Sequence, residues 1–299
     1  MFPIIEKDHL SPTICRFVVK APFIAQKRLP GNFVIVRVSE TGERIPLTIV
    51  GSNVQEGTIT LIVQAVGKTT KLLATKNVGD ALTDVVGPLG NPTPIENHGT
   101  VICVGGGVGT AELYPIAQAL KAAGNKLYTI IGARSKDLII LEEEMAKISD
   151  DIYITTDDGS YKRKGLVTDQ LKELLDDRKG STVVYAIGPL PMMKAVSNLT
   201  KKYGVKTYVS LNAIMVDGTG MCGGCRVTVG GEMKFACVDG PEFDGHRVDF
   251  DELIMRNRTY TDLERISDNH HCTGNDSGKV LEDSLPVTTI YQPAPGGDR

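Results

Sequence analysis

Residues 217–245 constrain this chain more than any other stretch. Eight of these 29 residues are glycine and three are cysteine. No helical or alternating apolar spacing persists through them, so the segment reads as too irregular for a conventional core and in need of another staple. Within it runs Asp217-Gly218-Thr219-Gly220-Met221-Cys222-Gly223-Gly224-Cys225, with Cys237 twelve residues further on. Three thiols in a glycine-dense loop suit metal ligation, because small residues let backbone N–H groups turn toward thiolate and sulfide.

The remaining cysteines, Cys15, Cys103 and Cys272, are scattered, which is not the pattern of a disulfide framework. Three thiolates need a fourth ligand. Asp217 stands five residues before Cys222, where a C-x4-C-x2-C spacing would place its first cysteine. An iron–sulfur cluster on Asp217, Cys222, Cys225 and Cys237 is the favoured reading. A structural zinc site completed by His246 is the alternative, and three unligated thiols are a further one.

Composition removes several function classes. With 33 basic and 36 acidic residues the formal charge is −3, and there is no tryptophan, so neither a basic nucleic-acid footprint nor a stacking platform is expected. No apolar run approaches the roughly 18 residues that span a bilayer. The opening Met-Phe-Pro-Ile-Ile-Glu-Lys carries charge from position 6, unlike a secretory signal, so the expected compartment is the cytoplasm.

Residues 1–97 read as β-rich runs broken by Pro and Gly, the pattern of a small antiparallel barrel with one short helical stretch after Thr69. Residues 98–208 alternate strands and helices, as in a parallel α/β domain. Residues 209–265 form a third unit around the cysteines, and 266–299 read as a tail. Gly105-Gly106-Gly107-Val108-Gly109-Thr110 follows a strand and opens a helix, a context in which amides and a helix N-terminus face a pyrophosphate. Thr110 stands where the third glycine of the dinucleotide fingerprint belongs. Gly67-Lys68-Thr69-Thr70 is not a P-loop, since Ile62 occupies the position of its first glycine. It can still cradle a phosphate.

Taken together, these parts resemble the ferredoxin-reductase-like flavoproteins. More narrowly, they are similar to the electron-transfer subunit of class 1B dihydroorotate dehydrogenase and its relatives, over about residues 1–265. The resemblance implies a FAD-binding β-barrel, an NAD(H)-binding α/β domain and a small C-terminal [2Fe–2S] domain. Arg44, Pro46, Leu47 and Thr48 resemble the flavin motif, with Thr48 the hydroxyl near flavin N5. Ile62-Val63-Gln64 resembles the strand beside the flavin, and Gly67, Thr69 and Thr70 its pyrophosphate turn. Gly105 to Thr110, Arg134, Asp157, Asp158, Gly188, Pro189 and Met192 match the nicotinamide-dinucleotide blocks. Many relatives carry cysteine before the Gly-Pro pair, where this chain has Ile187.

Asp217 is the informative departure. Dihydroorotate dehydrogenase subunits carry cysteine there, whereas one aspartate with three cysteines is similar to the small subunits of sulfide dehydrogenase and NADH-dependent ferredoxin:NADP+ oxidoreductase. The resemblance thus implies a subunit that passes electrons between NAD(H), FAD and a [2Fe–2S] cluster, with no catalytic acid, base or nucleophile. It also implies a larger partner with its own flavin and iron–sulfur clusters, forming a heterodimer or higher assembly that reaches ferredoxin and bifurcates electrons. A dihydroorotate dehydrogenase subunit is the alternative; a zinc-stapled, nucleotide-binding regulatory module is another. Cys15 and Cys103 read as core residues, Glu142-Glu143-Glu144 as a solvated helix face, and His270-His271-Cys272 as part of the polar tail.

Overall fold

The computed structural model describes residues 1–177 and 182–269. The His270-His271-Cys272 stretch lies outside them. Two antiparallel sheets form the N-terminal barrel. The larger has strand order Gly51–Asn53, Thr58–Gln64, Ile14–Lys20, Phe2–Ser11, Ala81–Leu82, and the smaller Arg44–Thr48, Phe33–Arg37, Asp84–Leu89. Their facing side chains, including Phe17, Val34, Val36, Ile49, Ile59 and Leu61, make one core. Arg44–Thr48 is an edge strand, where Pro46 costs no ladder hydrogen bond and leaves one side of the strand open to a ligand. Two short helices close the barrel, Pro22–Lys27 and Lys68–Thr75.

The second unit is a seven-stranded sheet in the order Arg163–Lys164, Asp151–Thr156, Lys126–Ala133, Thr100–Gly106, Thr182–Ile187, Lys206–Ser210, Glu242–Asp244. All pairings are parallel except the last. Both faces are covered, which is why Val101-Ile102-Cys103-Val104 is apolar throughout. Helices Gly109–Ala122 and Glu142–Ile148 pack on one face, and Val167–Asp177 and Leu190–Lys202 on the other. Cys103 is fully buried and Cys15 nearly so, as core residues. Glu142, Glu143 and Glu144 form the first turn of their helix, where carboxylates complement the positive dipole end.

The cysteine segment departs from expectation in two ways. Glu242–Asp244 adds to the parallel sheet as an antiparallel edge, so this unit is built into its neighbour. It also contributes apolar side chains to a packed core. The hairpin Arg226–Val229/Glu232–Phe235 and helix Phe250–Asn257 bury Val227, Val229, Phe250 and Leu253 in a cluster shared with Ile102 and Val104 of the sheet and Phe33 and Ile35 of the barrel. Helix Thr261–Asn269 continues into the stretch read as tail. Among the described residues no helix is long and apolar enough to cross a membrane.

Candidate functional site

A cleft opens between the barrel and the sheet. Pro46, Leu47 and Thr48 come from the edge strand, Ile62, Val63 and Gln64 from the strand beside it, and Val108 and Glu112 from the glycine loop and its helix. Ser210, Leu211, Asn212 and Met215, just upstream of the cysteine loop, form the third wall. The lining is mostly apolar with a few oriented amides and hydroxyls, the usual make-up of a site for a flat aromatic ligand. At its rim, Gly67 begins helix Lys68–Thr75, and the Thr70 hydroxyl accepts from the Gly67 amide at 3.0 Å. Thr69 donates its hydroxyl to Glu43 at 3.0 Å. With both hydroxyls committed, an anion would be held there by the first-turn amides.

Strand connections run outward in opposite directions from Thr100–Gly106 and Thr182–Ile187, which lie side by side. Such a switch point, beyond the strands' carboxyl ends, is where open α/β sheets bind nucleotides. Both glycine motifs meet there. A Cβ on Gly106 would overlap Met192 Sδ and sit 3.0 Å from Pro189 Cδ, while one on Gly109 would lie 2.5 Å from the Ile187 carbonyl oxygen. Gly107 adopts φ +55° and donates its amide to the Gly132 carbonyl at 2.8 Å. The fingerprint glycines therefore draw the two turns into contact. Thr110, in the third-glycine position, is fully buried against Gly105.

In the cysteine loop, Asp217 organises the turn. Its carboxylate accepts from the amides of Thr219 at 2.8 Å and Cys222 at 3.0 Å. The Cys222 sulfur accepts from the Gly224 amide and the Cys225 sulfur from the Cys237 amide, each at 3.4 Å. Cys225 and Cys237 are buried and hydrogen-bonded to each other, and burial followed by that contact pushes the Cys237 thiol up to about 12. Among the described residues no three His, Cys, Asp or Glu side chains converge as they would on one metal ion. Binuclear clusters divide their ligands between two irons, and soft thiolates whose sulfurs accept from backbone amides are a donor set that such a cluster takes. His246, the alternative zinc ligand, turns instead to Thr200, 2.9 Å away.

The Thr219 amide, then that of Cys222, holds the Asp217 carboxyl below the usual carboxylate range. This hold is complete above the unfolded carboxylate value of about 4 and is lost as pH falls through the lowered one. The protection factors of the Thr219 and Cys222 amides, taken against the intrinsic exchange rate at each pH, are accordingly expected to fall on acidification. In Asp217→Ala they should already be near one at neutral pH.

Comparison with known proteins gives the lineage. Residues 212–249 match the iron-sulfur cluster binding domain of dihydroorotate dehydrogenase B, and residues 103–198 an oxidoreductase NAD-binding domain. The chain is 51% identical over 264 residues to a Thermotoga maritima protein named as a homolog of the dihydroorotate dehydrogenase B (NAD(+)) electron transfer subunit, covering 88% of this chain and 93% of that one. It is 33% identical over 251 residues to the Bacillus cereus subunit itself, covering 80% and 94%. This chain belongs to the dihydroorotate dehydrogenase B electron-transfer subunit family. It is thus an oxidoreductase subunit with an NAD-binding domain. A solved structure of the NADH-dependent reduced ferredoxin-NADP oxidoreductase, described for flavin-based electron bifurcation, superimposes with a TM-score of 0.85 at 50% identity, covering 89% of this chain and 96% of that one.

In this family member, Pro46, Leu47, Thr48, Ile62, Val63, Gln64, Thr70 and Val108 share one cleft. Gly105, Gly106, Gly109, Gly188, Pro189 and Met192 share the switch point. Arg44 does not join the cleft wall; it lies exposed at the far end of its strand, opposite Arg37. Arg134 is exposed beyond the end of Lys126–Ala133, where its carbonyl accepts from the Asp158 amide at 3.2 Å. The Asp158 side chain accepts from the Ser160 amide at 2.9 Å and the Asp157 amide donates to the Ala133 carbonyl at 3.0 Å, so these blocks brace neighbouring loops. Glu112 and the 210–215 wall carried no motif in the sequence. A polar hollow between helix Leu190–Lys202 and residues 245–251 is lined by His246, the alternative zinc ligand, and by none of the residues matched to flavin, nucleotide or cluster.

Proposed function

We propose that this chain carries electrons between NAD(H) and a larger subunit by way of FAD in the barrel–sheet cleft and a [2Fe–2S] cluster on Asp217, Cys222, Cys225 and Cys237. One observation carries the reading: a single cleft is walled by the flavin-motif strands, the nucleotide switch point and the segment leading into the cysteine loop. Bound flavin would supply the exchange between a two-electron hydride and single electrons. The chain's own work is positional. Thr48 and Gln64 would orient the ring edge, the first-turn amides of Lys68–Thr75 would hold the pyrophosphate, and Gly105 to Thr110 with Gly188 would bring the nicotinamide against it. Loop amides would stabilise charge on the sulfurs.

The partner we propose is a larger flavin and iron–sulfur subunit, within a bifurcating NADH-dependent ferredoxin:NADP+ oxidoreductase. The 50% identity to the structure of that name, against 33% to the Bacillus cereus dihydroorotate dehydrogenase subunit, supports this over the second reading. Aspartate at 217 supports it too. The test is a visible spectrum of anaerobically purified protein with iron and sulfide assays, before and after NADH. Flavin bands, about two irons per chain and bleaching by NADH are expected. Colourless protein that stays apo after reconstitution, or that holds one zinc, would overturn the reading. Orotate reduction after mixing with a dihydroorotate-oxidising partner would establish the second.

A further inference from the structure

Glu112 sits in the first turn of helix Gly109–Ala122, immediately after the glycine loop. Side chains on a helix lean toward its N-terminus, which carries this carboxyl over the glycine turn and into the cleft. Among the described residues that line this cleft it alone is ionisable; its neighbours there include Thr48, Gln64, Thr70, Ser210 and Asn212. No hydrogen bond or ion pair ties it to another described residue. Nor do the facing segments 44–48, 62–66 and 210–215 turn a charge toward it. Arg44 lies outside the lining, Glu43 is bonded to Thr69, and Lys71 to Asp268. Burial alone raises this carboxyl to about 7.

This arrangement matters if the proposed function holds, and the following inference rests on it. Oxidation of NADH by one-electron acceptors leaves a proton behind: NADH gives NAD+, two electrons and one H+. Glu112 is half-buried in the cleft wall, so it lies between the cleft interior, where that proton is left, and the solvent that finally takes it. We infer that Glu112 receives that proton, its carboxylate taking it up as the electrons leave singly toward an iron–sulfur acceptor, and passes it on to solvent. A carboxyl that is half-protonated at neutral pH can both accept and return a proton, whereas one near 4 would accept poorly.

The test uses the full chain with Glu112→Gln and Glu112→Asp. In flavin-free protein, carbon-13 NMR of labelled glutamate should show two carboxyls titrating near neutrality, because burial also raises Glu242 to about 7, and the Glu112 signal is the one that disappears in Glu112→Gln. In FAD-reconstituted protein, NADH oxidation by ferricyanide should show an inflection at the same pH. Glu112→Gln should lose the inflection and slow about a hundredfold at pH 7, with NADH affinity kept within about twofold. Glu112→Asp should restore an inflection at shifted pH. A titration near 4, or an unchanged pH profile in Glu112→Gln, would overturn the inference. Wild-type protein that refuses FAD would instead overturn the proposed function, while the NMR titration still reports on the carboxyl itself.

Discussion

Serine at position 225 is expected to strip the chain of its iron while NADH still bleaches the flavin. Cys225 is 1% exposed and lies in the core shared by all three parts of the molecule. Its sulfur already faces the Cys237 amide, the geometry of a liganded thiolate with a backbone donor. A serine hydroxyl is a harder, less acidic donor and fills the position poorly for an iron–sulfur centre. The change also buries a hydroxyl in an apolar setting, at a cost of about 1–3 kcal/mol. Iron and sulfide per chain should fall to near zero in Cys225→Ser, with loss of the reduced-cluster EPR signal. Flavin bleaching by NADH should persist, because the cleft draws on other elements. Retained iron would remove Cys225 from the ligand set, and simultaneous loss of both chromophores would mean that the variant had lost its fold.

The second large effect belongs to Gly109→Ala. The added Cβ would lie 2.5 Å from the Ile187 carbonyl oxygen and 2.8 Å from the Gly188 backbone. These are main-chain atoms on a central strand and its turn, so they cannot rotate aside. The two glycine turns must separate, which should destabilise the protein by about 1–3 kcal/mol. Since their contact shapes the switch point, NADH affinity should fall at least about tenfold. Gly107 is the control. It has φ +55° but open space around a Cβ, so Gly107→Asn, whose residue tolerates that conformation, should keep most of the stability. Thermal unfolding and NADH titration of the two variants separate close packing from backbone conformation. Equal behaviour would show that the turn-to-turn contact contributes nothing.

The motifs of the candidate site were legible because they are local. A C-x2-C pair with a third cysteine, a glycine run between strand and helix, and a Pro-Leu-Thr strand each place their chemistry within a few residues. The same locality says less about Arg44, Arg134 and Asp158. Matching motif positions do not reveal whether a side chain reaches a cleft or braces a loop, and here the strand end and loop bonds point the other way. Glu112 was illegible for the opposite reason. Nothing in Gly109-Thr110-Ala111-Glu112 shows that every other residue facing it will be uncharged.

By itself the sequence determined the order of the three parts, their sheet types and the gathering of three cysteines beside Asp217, since periodicity, turn residues and short spacings act along the chain. Only the tertiary structure decided that the cysteine segment completes the seven-stranded sheet through Glu242–Asp244, that Cys225 and Cys237 lie in a core common to barrel and sheet, and that residues 210–215 wall the cleft between them. Those are contacts between segments far apart in sequence. They follow from which apolar faces can be buried together, a property of the whole packed chain and of no window along it.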